Sequence, residues 1–122
     1  MELQNACLYE RKLGDGMTNA LGLLEVLGFS VALYVMDQAC KQANITIQAM
    51  DCNNPINGDD ATIPVVVQVK FTGSVSDVQV ALDVAKESAR MFLAEDEIVT
   101  RLISSQADGL EKLIHTGKVQ AW

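Results

Sequence analysis

Three cysteines, one histidine and a cluster of loop acids are the residues of this 122-residue chain whose types could do chemistry. Cys52 stands out. It lies in the polar run Asp51-Cys52-Asn53-Asn54-Pro55-Ile56-Asn57-Gly58-Asp59-Asp60-Ala61-Thr62-Ile63, between two strand-like segments. Hairpins normally close in two to five residues, and connections beyond about 12 residues are usually functional or disordered. A thiol in such a loop is accessible enough to ligate a metal or react. Cys40 falls on an apolar helix face, where a thiol behaves as a small hydrophobe. Cys7 lies near the start of the chain with nothing to assign it a ligand role. Asp51, Asp59 and Asp60 suggest calcium, but Pro55 and Ile56 occupy positions where an EF-hand needs oxygen ligands and glycine. They read instead as a solvated acidic rim that favours cations. His115 is the only histidine, so no histidine triad or multi-histidine zinc site can form within one chain. It suits the last turn of a helix. Gly14-x-Gly16 lacks the third glycine of a dinucleotide loop and precedes its strand. No nucleophile–base pair and no distinctive carboxylate pair is visible, so an enzyme is not expected. The role of Trp122 is unreadable.

Composition narrows the classes. The length fits one domain. Hydrophobic residues make up 49% of the chain and the net charge is −7. Disorder is excluded, and neither nucleic acid nor an anionic membrane suits so acidic a chain. The start lacks the basic and apolar regions of a signal peptide. No apolar run reaches the roughly 18 residues of a membrane span. An odd number of cysteines fits a reducing cytosol, and Asn44-Ile45-Thr46 is then an accidental sequon.

The elements that must position Cys52 follow from hydrophobic period. Residues 1–18 read as an extension, 19–117 as the domain and 118–122 as a tail. Ala20–Leu27 is a nearly continuous apolar run, broken by Glu25 and ended by Gly28, which predicts a strand covered on both faces. Phe29–Ala43 has helical spacing, with Phe29, Ala32, Leu33, Val35, Met36, Ala39, Cys40 and Ala43 inward. Ile45–Met50 predicts a strand with Ile45, Ile47 and Ala49 on one face. Pro64–Phe71 alternates, Val65, Val67, Val69 and Phe71 opposite Gln68 and Lys70. Ser74 and Asp77 form a capping signature for a helix reaching about Leu93, with Val75, Val78, Leu82, Ala85, Ala89 and Phe92 inward. Glu97–Ile103 predicts a fourth strand. Asp108–His115 predicts a short helix stopped by Gly117 at C′. The order is β-α-β-β-α-β-α: an α+β fold with helices packed on a four-stranded antiparallel-type sheet.

Four segments in this order resemble the bacterial microcompartment (BMC) shell domain. Ala20-Leu21-Gly22-Leu23-Leu24-Glu25 resembles its first strand, and Asp37-Gln38-Ala39-Cys40-Lys41-Gln42-Ala43-Asn44 the end of its first helix. Phe71-Thr72-Gly73-Ser74-Val75 resembles its strand-to-helix turn, and Asp108-Gly109-Leu110-Glu111-Lys112-Leu113-Ile114 its closing helix. The resemblance implies a homo-hexamer that tiles with other shell proteins around a cytoplasmic protein organelle, its β2–β3 loop lining a central pore. It assigns Lys41 and Asn44 to the hexamer edge. The family's arginine before the last helix is replaced by the stretch Ser104-Ser105-Gln106, which puts the tiling geometry in question.

A branch of the family, from glycyl-radical propanediol microcompartments, holds an iron–sulfur cluster at its pore. The resemblance carries that role to Cys52, with Asp51, Asn53, Asn54 and Pro55 as pore loop. Such clusters usually need four thiolates, so one [4Fe–4S] group would be shared between protomers. Two other readings stand beside it. One is a metal-free shell subunit whose loop gates metabolites. The other is a trimeric ligand-sensing regulator of the PII type, which shares the size and the long loop.

Overall fold

The computed structural model describes residues 20–56, 58–60 and 63–117. The extension with Cys7 and Gly14-x-Gly16, and the tail with Trp122, lie outside them. The elements are β1 (Ala20–Leu27), α1 (Phe29–Gln42), β2 (Ile45–Asn53), β3 (Val66–Gly73), α2 (Val75–Ala89), β4 (Val99–Ile103) and α3 (Glu111–Ile114). Single 3₁₀ turns at Gly58–Asp60 and Glu95–Glu97 punctuate the connections. The sheet order is β2-β3-β1-β4 and every neighbouring pair is antiparallel. The expected α+β fold is what forms.

Helices α1 and α2 cover one face of the sheet. Leu24, Val26, Val67, Val69 and Phe71 meet Ala32, Val35, Met36 and Ala39 from α1 and Val78, Ala81, Leu82 and Ala85 from α2. The alanines let the helix backbones approach closely. Gly22 lies across from Phe71 in the register. A Cβ there would stand 2.4 Å from Phe71 Cε2, so the aromatic ring occupies the space a side chain would need.

The helix starts use different chemistry. Gly28 takes φ 92°, a conformation glycine tolerates, and donates its N–H to Val65 O at 2.8 Å before α1 begins. Ser74 caps α2, accepting from the Asp77 N–H at 3.1 Å. Asp77 also receives the Ser74 hydroxyl at 2.9 Å and the Asn44 N–H at 3.2 Å, which ties the entry to β2 onto the start of α2.

Several expectations need correction. Strand β2 runs to Asn53, not Met50, because a bulge between Ile47 and Ala49 changes its phase. Ala49 therefore leaves the face of Ile45 and Ile47, and Met50 joins the core. Strand β3 begins at Val66, leaving Pro64 in the loop. Both helical faces are narrower than their apolar stripes. Phe29, Leu33 and Cys40 on α1 and Val75 on α2 are exposed, so Cys40 is not a core residue. Helix α2 stops at Ala89, so Phe92 leaves its inner face and stacks edge-on against Tyr34 while Leu93 is buried. Strand β4 starts at Val99, since Glu95–Glu97 turns as 3₁₀.

The last helix is a single turn, and Gly117 is not its C′ residue. Gly117 is needed elsewhere: a Cβ would come within 2.5 Å of the Met50 carbonyl oxygen. Lys70 reaches from β3 to donate to Leu113 O at 2.7 Å and also to Thr116 O, fastening α3 to the face of the sheet opposite α1 and α2. Lys70→Met is expected to cost about 1 kcal/mol. Hydrogen exchange should locate that loss, with faster exchange at 110–117 and little change in β1 and β3.

Arg90 joins the end of α2 to the 3₁₀ turn through Glu95, at 3.0 and 3.1 Å, and Lys86 adds a contact at 3.3 Å. The Arg90 hydrogen bonds first, then Lys86, lower the Glu95 carboxyl from 4.5 to about 2. A depressed carboxyl stabilises the fold above its unfolded pKa and loses that effect as pH falls toward the folded value. The thermal midpoint of Glu95→Gln should therefore fall less steeply than that of the parent between pH 4.5 and 2.

Candidate functional site: the end of β2 and its loop

Cys52 is not in the loop. It is the penultimate residue of β2, paired with Val67, and its partly buried side chain packs against the core. Its N–H donates to Asp51 Oδ1 at 3.0 Å. The connection begins at Asn54, which is exposed, and continues through half-buried Pro55 to fully exposed Ile56. The Gly58 N–H closes a turn onto Pro55 O at 2.9 Å, with Gly58 at φ 54°.

The face opposite the helices carries a line of polar side chains. Asn53 Nδ2 donates to Gln68 Oε1 at 3.2 Å, and Gln68 Nε2 donates to Glu25 Oε2 at 2.8 Å. The line crosses β2, β3 and β1. Sequence reasoning assigned no role to Gln68 or Glu25, although each had a signal: Glu25 is the lone charge in an apolar strand, and Gln68 alternates with core valines.

Beside this line and the loop is a concavity of about 720 Å³, lined by Glu25, Asn53, Pro55, Asp60, Asp96 and Glu97 among others. The acidic side chains divide between two hollows. Asp51 belongs to the sheet and borders a separate hollow of about 300 Å³ with Lys70 and Arg101. Asp60 is joined instead by Glu25, Asp96 and Glu97, which the loop sequence could not show.

Lys41 and Asn44 lie at the other end of β2. Lys41 is exposed and paired with Asp37 at 2.7 Å; Asn44 is exposed, with its N–H held by Asp77. The nine residues of β2 separate this edge from the loop by about 28 Å. Exposed Cys40 sits beside Lys41. Partial desolvation and, after it, the Asp37 carboxylate push its thiol pKa above the ordinary value, so it stays protonated at neutral pH. His115 caps the end of α3 and is exposed.

Cys40 and Cys52 are both free thiols. Among the described residues no three His, Cys, Asp or Glu side chains converge on a metal-sized site. Among the described residues, Cys52 is the thiol at a strand end next to the long loop, and one chain offers an iron–sulfur cluster no second thiol beside it. These residues fit the group only where several copies bring their Cys52 thiols together. Among the described residues no helix is long and apolar enough to cross a membrane.

This arrangement defines a helix-covered antiparallel sheet with a long loop at one strand end and a charged edge at the other. The BMC domain pattern matches residues 20–105, and the chain belongs to that family, whose members are structural subunits of bacterial microcompartment shells rather than enzymes. The fold is similar to the crystal structure of a microcompartment protein from Desulfitobacterium hafniense DCB, with TM-score 0.59 and 15% identity. That match covers 84% of this chain and 50% of the other, so the chain spans about half the length of that protein. At this identity the likeness speaks for the fold alone. No curated protein matches. The family assignment carries the shell reading and leaves the PII-type regulator without support.

Proposed function

We propose that this shell subunit closes into a cyclic homo-hexamer whose β2–β3 loops line a central pore, and that Cys52 thiolates from several copies hold a [4Fe–4S] cluster there. The observation that carries the proposal is the placement of Cys52. It stands next to the loop that the family resemblance assigns to the pore, at the opposite end of β2 from the edge residues Lys41 and Asn44. Asp51, Asn53, Asn54 and Pro55 surround it in sequence. The protein would reside in the microcompartment shell in the cytoplasm and tile with other shell proteins. In that role it would resemble the iron–sulfur pore protein GrpU of glycyl-radical propanediol microcompartments.

Cys52 would be the ligand, and Asp51 and Asn53 would fix the backbone on either side of it. When bound, the cluster would supply one-electron redox chemistry at the shell. The long connection after Asn53 gives copies that do not ligate room to differ from those that do.

The packing of Cys52 against the core favours a second reading, a metal-free subunit whose loop gates metabolites. Anaerobic purification separates the two. The cluster reading expects iron, acid-labile sulfide and thiolate-to-iron charge-transfer absorption in comparable amounts. Metal-free protein after anaerobic preparation and reconstitution would leave the gating subunit.

A further inference from the structure

We infer that Gln68 is a positioning residue that sets how the Cys52 thiol is presented, acting from the opposite face of the sheet. This rests on the reading of Cys52 as the ligand at the pore. Glu25 and Gln68 are direct cross-strand partners, but Gln68 faces Asp51 in the register, not Asn53. Its bond to Asn53 therefore runs diagonally, two residues further along β2. Asn53 pairs with Val66 in the last rung before the loop. Strand ends fray, and the brace pulls this one back toward the middle of the sheet.

The three side chains are all partly buried. The line ends on a carboxylate, and a charged acceptor makes the stronger hydrogen bond. Cys52 is one residue before Asn53 and on the other face. Fraying of the last two β2 residues would lift its thiol off Val67 and the core. With the brace intact the thiol of the iron-free chain is held half-covered at the strand end. It is the sheet, through Gln68, that places the thiol, and not the loop.

Alkylation of the reduced, iron-free full-length protein tests this, with iodoacetamide as probe and peptide mass mapping as readout. Cys40 in the same molecule is the internal reference. Gln68→Leu should raise the Cys52/Cys40 labelling ratio about tenfold, the change in local opening expected when such hydrogen bonds are lost. Asn53→Ala and Glu25→Leu should do the same, and each carries the test if Gln68→Leu fails to fold. Glu25→Gln keeps an acceptor but loses the charge, so its ratio should lie between those of the parent and Glu25→Leu. The Asn53→Ala/Gln68→Leu double variant should label no faster than either single variant. An unchanged ratio in the folded single variants, or a double variant whose effects multiply, overturns the inference. Iron content is measured separately on the unlabelled parent. Absent iron defeats the cluster while a responsive ratio upholds the brace; flat ratios in an iron-bearing protein do the reverse.

Discussion

Cys52→Ser, purified anaerobically beside the parent, is expected to hold no iron and no sulfide. In the proposed ring each chain brings Cys52 to the pore, so the substitution removes that thiolate from every copy at once. Serine is a poor ligand for iron in a cluster that four thiolates normally hold. The loss should be complete rather than graded. Cys40→Ser is the matched control: that thiol is exposed on α1 beside Lys41 and stays protonated, so its removal should leave iron content unchanged. The fold should survive both. Cys52 is only partly buried, and an added hydroxyl there costs about 1 kcal/mol. If the parent and Cys52→Ser carry equal iron, the metal lies elsewhere and the assignment of Cys52 is wrong.

Gly22→Ala should have the largest effect on stability. The added Cβ would lie 2.4, 2.6 and 2.9 Å from three atoms of the Phe71 ring, closer than real contacts allow. Neither side can yield easily. Gly22 is in the middle of β1, paired on both flanks with β3 and β4, and Phe71 is fully buried against both helices. Overpacking a core typically costs about 1–3 kcal/mol, and this contact belongs at or above the upper end. For a domain of this size each kcal/mol lowers Tm by roughly 4–8 °C, so calorimetry should show a fall of about 12 °C or more. Phe71→Leu removes the ring atoms involved. The double variant Gly22→Ala/Phe71→Leu should therefore be more stable than the sum of the single losses predicts. Strict additivity would mean that the Phe71 ring does not set the requirement for glycine.

The same pair shows what the chain discloses on reading. Ala20-Leu21-Gly22 could be matched to a family pattern, and the alternation of Val67, Val69 and Phe71 identified the core face of β3. The reason for Gly22 is a contact between residues 49 positions apart, which no local pattern records. Strand β1 and the centres of both long helices were legible because their apolar runs are long and nearly continuous, with Glu25 the one charge in β1. The end of β2 was not. The bulge after Ile47 shifts the alternation, and the polar residues Asp51, Cys52 and Asn53 read as loop although their backbone pairs with β3. Helix faces came out too wide because apolar spacing shows which residues could turn inward, not how far the sheet extends beneath them. Cys40 fell to that error. The acidic lining drew on Asp96 and Glu97, which reach the loop only through the pairing of β4 with β1. Cys52 itself kept its candidate role while its setting changed, from an exposed thiol on a loop to a half-covered thiol on a braced strand.

The central claim is that the functional unit is a ring of chains around Cys52. Native mass spectrometry of the anaerobically purified full-length protein tests it most directly, since one spectrum reports both copy number and bound metal. The account predicts six copies with the added mass of a single [4Fe–4S] cluster, and six copies without that mass for Cys52→Ser. A monomer or a trimer as the dominant species, or iron retained at equal stoichiometry in Cys52→Ser, would contradict it.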